Sequence, residues 1–221
     1  MATSRDRELT EQRLIETVGR LLARSGFAAL GVNALAREAG VDKVLIYRYF
    51  DGLPNLLKAY CERGDFWPTA AEVLLPDVAT LRATPLAART AAIVVNLLDA
   101  LRRRPQTIEI LAWEVVESNA LTDTLAAIRE RWSRDVTELV LPDATEDRAD
   151  HLALANLLVA GIQYLLIRSR TTPVYGGIPL RTDEGWARIR NAALVAFGVT
   201  TAPAEPAPER APGRRVARRR S

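Results

Sequence analysis

Between Asp42 and Phe50 the chain places Lys43, Tyr47, Arg48 and Tyr49, four large side chains with polar tips, within seven residues. An ammonium, a guanidinium and two phenols are donors suited to phosphate oxygens, and Val44 and Leu45 beside them offer the apolar contact that a thymine methyl accepts. Other chemistry-bearing residues are sparse. His151 and Cys61 are each the single representative of their type. One imidazole and one thiol cannot assemble a structural zinc site, and neither stands beside a partner that would make it a nucleophile or a general base. No glycine-rich phosphate loop ending in Gly-Lys-Ser/Thr occurs, so nucleotide hydrolysis has no support. We expect no enzyme, no metal and no cofactor, with His151 and Cys61 structural.

The polar-tipped cluster needs an element to carry it. In "LAREAGVDKVLIYRYF", preceded by Val32, the residues Val32, Leu35, Ala36 and Ala39 share one face of a short helix. Gly40 follows at its end, where a left-handed glycine lets the chain reverse. Val41 covers the corner, and Asp42 stands where an N-cap carboxylate accepts from the first amides of the next helix. Ile46 and Phe50, at i and i+4, point inward, and Ala36 is small enough for the two helices to cross closely. Lys43, Val44, Leu45, Tyr47, Arg48 and Tyr49 are left outside, on an element that the major groove of duplex DNA admits. The competing reading packs Tyr47 and Tyr49 against the first helix and leaves Arg48 solvated.

Hydrophobic spacing is helical almost everywhere, and strand-like alternation is not sustained. Leu14, Val18, Leu21 and Leu22 make one face of an amphipathic helix over residues 10–25. Further helices are expected near 54–63, 85–103, 106–117, 121–139, 146–170 and 182–198, with "TTPVYGGIPLRTDEG" as a long loop before the last.

The motif "GFAALGVNALAREAGVDKVLIYRYFDGLPNLLKAY", with the amphipathic helix before it, resembles the N-terminal domain of TetR-family transcriptional regulators. The resemblance covers roughly residues 7–60 as motif. It implies an all-α fold: a three-helix helix-turn-helix DNA-binding domain over 1–60 and a helical ligand-binding and dimerisation domain over 61–200; composition adds the expectation of a disordered basic tail over 201–221. The resemblance places a recognition helix at Asp42 to Tyr49, with Lys43 and Leu45 on bases, Tyr47 and Tyr49 on phosphates, and Arg48 on either. Three positions depart from the family pattern. Gly31 replaces the usual threonine and weakens a helix cap, Leu53 replaces a lysine that contacts phosphate, and Val44 replaces a small residue.

Charge follows the same division. Residues 1–58 carry a net +2, residues 59–202 carry −3, and residues 203–221 carry +4. The tail, "APAEPAPERAPGRRVARRRS" in its final stretch, is too poor in bulky apolar residues to repay chain ordering, and its arginines suit non-specific phosphate contact. The N-terminus alternates charge without an apolar stretch, so we expect no secretory signal. The charge-free run 152–167 is shorter than the roughly 18 apolar residues of a membrane span. A soluble cytoplasmic protein is expected.

That apolar run, interrupted by Asn156 and Gln163, is apolar around most of its circumference and must be covered on more than one side. Leu154, Leu158, Gly161 and Leu165, with a second stripe of Trp186, Ile189, Ala193 and Phe197, are expected at a homodimer interface, as in the family; the alternative is burial within one chain. A dimer would set two recognition helices about one DNA turn apart, roughly 34–36 Å, to read an inverted repeat. The resemblance implies a small-molecule effector site in the body, and the polar or aromatic residues Trp67, Asn96, Trp113, Glu114, Gln163 and Tyr164 are its candidates. The alternative is that they satisfy one another. Control by a protein partner instead of a small molecule remains the competing function.

Overall fold

The computed structural model describes residues 4–63, 66–141 and 146–199. Helix α1 (Ser4–Ser25) buries the expected Leu14, Val18, Leu21 and Leu22, together with Ile15. It starts earlier than the apolar stripe, because polar side chains stabilise its first turns: Arg7 donates to Glu11 at 2.8 Å and the Thr10 hydroxyl to the Asp6 carbonyl at 2.8 Å. A short 3-10 turn (Phe27–Ala29) leads to α2 (Val32–Ala39), α3 (Val44–Phe50) and α4 (Leu53–Arg63). Leu35, Ala36, Ala39, Ile46, Phe50, Leu56, Leu57 and Tyr60 close around α1 as one core.

The body comprises α5 (Ala70–Val73), α6 (Val78–Ala83), α7 (Leu86–Arg102), α8 (Pro105–Glu114), α9 (Ala120–Val140), α10 (Glu146–Ser169) and α11 (Asp183–Ala196). Helices α5 and α6 are additions to the sequence expectation, since one turn or two carries no readable periodicity. Their starts are nevertheless written in caps: Thr69 and Glu72 form a reciprocal capping box, and Asp77 accepts from the Thr80 amide at 2.8 Å. The loop expected before the last helix contains a small antiparallel hairpin, β1 (Val174–Tyr175) with β2 (Ile178–Pro179), turned by Gly176 and Gly177.

Head and body share a seam. Ile110 of α8 and Leu125 of α9 belong to the head's core, and α1 packs along α8. The approach is closest at Gly19 of α1, where an added methyl would lie 2.0 Å from Nε2 of Gln106 and 2.7 Å from the Tyr60 ring. Trp67 touches both the head core and the body core.

Helix α10 corrects one expectation. Its segment Ala149–Ser169 is 21 residues long with mean hydropathy 1.5, so by length and composition it is long enough to cross a membrane. The helix runs past the charge-free stretch at both ends, taking in Asp150 and Arg168. Within the protomer it packs on α7 and α8 through Ala155, Ile162 and Leu166, and only 11% of its most apolar window is buried.

Candidate nucleic-acid interface and effector cavity

The head presents α3 on its surface through a tight turn. Gly40 adopts φ +66°, so that the Val41 amide reaches back to the Ala36 carbonyl at 3.0 Å and closes α2. Nothing lies within 4 Å of where a Gly40 methyl would be, so the constraint there is conformational, not steric. The Asp42 carboxylate accepts from the Val44 amide at 2.8 Å, satisfying a free donor at the start of α3. At the start of α2, Gly31 has extended backbone and supplies no side-chain cap.

Ile46 and Phe50 are buried and hold α3 against the head core, while Lys43, Val44, Tyr47 and Arg48 are exposed. Tyr47 is 56% exposed, so its ring is not packing material. Leu45 and Tyr49 are half-buried. The Arg7 guanidinium lies 5.1 Å from the Tyr49 ring centroid, tying the first turns of α1 to α3. A hollow beside α3 is lined by Lys43 and Tyr47 together with Val32, Asn33 and Arg37 of α2. Across α3, Arg48 lines a second hollow with Asn55 and Lys58 of α4. Asn33, Arg37 and Lys58 are exposed neighbours that sequence reading passed over, because their proximity to α3 depends on how the helices cross.

In the body a cavity of about 330 Å³ opens between α7, α9 and α10. Its wall is mainly apolar, with Ile93, Val94 and Leu97 from α7, Val136 from α9 and Leu152 and Val159 from α10. Trp67 and Trp132 stand edge to face with centroids 6.0 Å apart. Of the six residues expected at an effector site, the cavity gathers Trp67 and Gln163. The other four lie outside its wall. Asn96 donates its amide to the Val73 carbonyl at 3.0 Å and is used in packing α5 on α7. Trp113 packs on Gly26 of the head, Glu114 pairs with Arg129 at 2.9 Å, and Tyr164 is half-exposed, edge to face with Tyr175. Trp132 and Arg129 went unnoticed because the charged surroundings "IRERWSR" read as a solvated face.

The interface expectation also needs correction. Trp186, Ile189, Ala193 and Phe197 are buried within the protomer, where the Trp186 indole donates to the Leu180 carbonyl at 2.8 Å. Leu154, Leu158 and Leu165 are half-buried against the same core, and of the named residues Gly161 is exposed. The α11 stripe reads as an outer face because periodicity identifies an apolar face without saying which neighbour covers it; the α10 stripe stays partly open. Leu157, 70% exposed, Tyr164 and Val195, 57% exposed, are the large apolar residues that α10 and α11 leave uncovered.

Burial pushes the Cys61 thiol up to about 12, so it stays protonated and unreactive at neutral pH. His151 stacks on Phe197 with centroids 6.1 Å apart. Among the described residues no group of three or more His, Cys, Asp or Glu could hold a metal ion.

A short helix pair with an exposed second helix, carried on a body that is helical apart from one small hairpin, is the architecture of a helix-turn-helix protein. Residues 14–60 match the family of bacterial regulatory proteins described as tetR. An uncharacterized HTH-type transcriptional regulator of Mycobacterium tuberculosis (strain H37Rv) is 34% identical over 61 residues, 28% of this chain and 30% of that protein. The match thus spans less than a third of the curated relative's length. Three solved structures share the fold: a TetR-like transcriptional regulator from Rhodococcus sp. RHA1 (16% identity, TM-score 0.54, 90% of this chain and 100% of that one), a TetR family regulator from Marinobacter aquaeolei VT8 (17%, 0.53, 87% and 97%), and the fatty acid degradation regulator FadR from Bacillus halodurans (15%, 0.58, 86% and 95%). Residues 14–60 are thus a TetR-family N-terminal domain, and the chain as a whole shares the fold of these structures.

Proposed function

We propose that the protein is a dimeric transcriptional regulator that binds an inverted-repeat operator through α3 and is released from it by a small, mainly apolar molecule held in the body cavity. The observation that carries this reading is the exposed row Lys43, Tyr47 and Arg48 on a short helix whose inward residues, Ile46 and Phe50, are fully committed to the core. Among the described residues of the head, donors arranged that way meet no acceptor to justify them. Asn33, Arg37 and Lys58 extend the same surface for phosphate contact.

Support for a homodimer comes from the uncovered faces of α10 and α11. Leu157, Gly161 and Tyr164 on α10 and Val195 on α11 lie among small exposed residues, Ala153, Ala160, Ala192 and Ala196, which permit close approach of two helix pairs. A surface this apolar is more stable covered. Such a protein works in the cytoplasm, where its operator is.

A ligand that prefers the head spacing unsuited to the operator lowers DNA affinity by its differential binding to the two states. The seam at Gly19, Tyr60 and Gln106 is where body movement reaches the head. The test is selection of bound sequences from a random duplex pool, followed by affinity of the selected site. Enrichment of an inverted repeat is the expected result; recovery of unenriched sequence removes the reading. The basic tail lies outside the described residues, and deleting 203–221 lowers the salt slope by about 0.9 for each phosphate it contacts.

A further inference from the structure

Helices α9 and α10 follow one another in sequence but do not pack along each other: α10 lies on α7 and α8, and α9 on α4 and α6. The cavity is the slot this leaves, and its polarity follows its depth. Its buried floor, Val94 and Leu97 of α7, Val136 of α9 and Ala155 of α10, is apolar. The buried Thr90 beside them donates its hydroxyl to the Leu86 carbonyl of its own helix at 2.8 Å. The indole nitrogens of Trp67 and Trp132 are buried too, so neither offers a donor to an occupant.

Polar groups stand on the rim instead. Helix α9 lends Glu130, Ser133 and Thr137, and α10 lends Asn156 and Gln163, all exposed or half-buried. Their spacing, i, i+3, i+7 on α9 and i, i+7 on α10, sets each group along one edge of its helix. Among the described residues, neither the hydroxyls of Ser133 and Thr137 nor the amides of Asn156 and Gln163 find a partner in the protein. The two ends of the rim differ. At one end Ser133, Thr137, Leu152 and Asn156 also line a second hollow of about 260 Å³, bordered by Arg134 and Glu138. Gln163, about two turns further along α10, lines the cavity and not that hollow.

We infer, resting on the effector-release reading above, that the slot takes an uncharged, elongated amphiphile, its apolar body against α7 and its hydroxyl or amide head at Ser133, Thr137 and Asn156. The apolar floor favours hydrocarbon, and the polar end of an occupant keeps its hydrogen bonds only where the cavity runs out into the second hollow. Hydroxyls and carboxamides both donate and accept, so they satisfy a head of the same kind whichever way it turns. A charged head meets no matching ion. Arg129 is engaged by Glu114 at 2.9 Å, and Glu130, Arg134 and Glu138 are exposed and screened by water. At interior packing density the volume of about 330 Å³ accommodates on the order of a dozen non-hydrogen atoms.

The experiment uses the full chain and ω-phenylalkanols with two, four, six and eight methylenes, beside butylbenzene, 4-phenylbutyrate and 4-phenylbutylamine. Thermal shift and tryptophan quenching give affinities for wild type, Thr137→Val, Asn156→Leu and Gln163→Leu, substitutions on the rim that leave the buried floor intact. Affinity should rise about three- to fourfold per methylene and level off once the body outgrows the cavity. At four methylenes the alcohol should bind at least about tenfold tighter than either ion. Its affinity relative to butylbenzene should fall about three- to tenfold in Thr137→Val and in Asn156→Leu, the size of one neutral hydrogen bond, and hold in Gln163→Leu. An unchanged ratio in both of the first two variants, a fall in Gln163→Leu alone, equal binding of either ion, no dependence on length, or no binding by any probe overturns the assignment. Operator affinity measured with 6-phenylhexanol bound separates the two readings: unchanged operator binding removes effector release and leaves the ligand class standing.

Discussion

The Arg129 guanidinium of α9 meets the Glu114 carboxylate of α8 at 2.9 Å while its other face covers the rings of Phe66 and Trp67. One side chain therefore touches the cavity wall, the segment leaving the head, and the helix that packs on α1. Adjacent to Glu114, Trp113 reaches Gly26 of the head. The pair gives a second connection between cavity and head, beside Trp67, which lines the cavity and touches the head core directly.

Glu114 is held above the ordinary carboxylate range, because burial outweighs the attraction of Arg129. A carboxyl with a raised folded-state pKa binds more protons folded than unfolded. Its contribution is most favourable below the unfolded value and is lost as pH climbs through the folded one. Glu114→Gln, which mimics the protonated acid, should change stability by no more than about 1 kcal/mol at pH 7 and abolish the decline of wild-type stability just above the usual carboxylate range. Arg129→Met should cost more, because it leaves a buried carboxylate without its partner. Urea unfolding from pH 4 to 7 checks both; a Glu114→Gln loss of several kcal/mol at neutral pH would show the ion pair winning over burial.

On the exposed face of α3 proposed to meet DNA, Tyr47 is the most exposed aromatic, so its hydroxyl is available without rearrangement. Tyr47→Phe should lower operator affinity about tenfold or more, the size of a hydrogen bond to a charged acceptor, and leave the melting temperature unchanged. Tyr49, half-buried and stacked with Arg7, should lose stability as well as affinity on truncation to Ala. Equal loss of affinity by Tyr47→Phe on operator and random duplex would identify it as a phosphate contact that carries no sequence information.

The turn between α2 and α3 was legible because its signals are local: a glycine that needs positive φ, a capping carboxylate, and an i, i+4 apolar pair. Long body helices were legible from periodicity. What failed depended on tertiary partners. Trp186 to Phe197 reads as an apolar stripe whether a second protomer or the hairpin and α7 cover it. Asn96 reads as a polar residue in an apolar run whether it holds a ligand or the Val73 carbonyl. Trp132 reads as solvated because its neighbours are charged, and only the helix crossing turns it inward. Site chemistry assembled from distant segments leaves no spacing to find.

At the seam, an added methyl on Gly19 would collide with the end of the Gln106 side chain and with the Tyr60 ring. Gly19→Ala should destabilise the chain by about 1–3 kcal/mol, the usual penalty for overpacking. Shortening Gln106 to Ala in the same chain should recover part of that loss, since the tighter clash is with a flexible side chain, whereas the ring contact persists. Denaturant unfolding of the two single variants and the double variant measures the coupling. Strict additivity would place the strain elsewhere.

The two faces of α10 and α11 make opposite predictions. Leu157 and Val195 are exposed on one side, and Trp186 and Phe197 are buried on the other. A charge placed at Leu157 has no core to disturb in the protomer, so Leu157→Glu should leave helical content and monomer packing intact. In a dimer built on that face it would bury an unpaired carboxylate, so the oligomer should dissociate and operator affinity should fall with it. Trp186→Ala should instead cost about 3–5 kcal/mol through the cavity it leaves. Sedimentation of the two variants distinguishes the faces. A dimeric Leu157→Glu protein with unaltered operator binding would remove this face from the assembly, and the exposed apolar residues of α10 would then need a different cover.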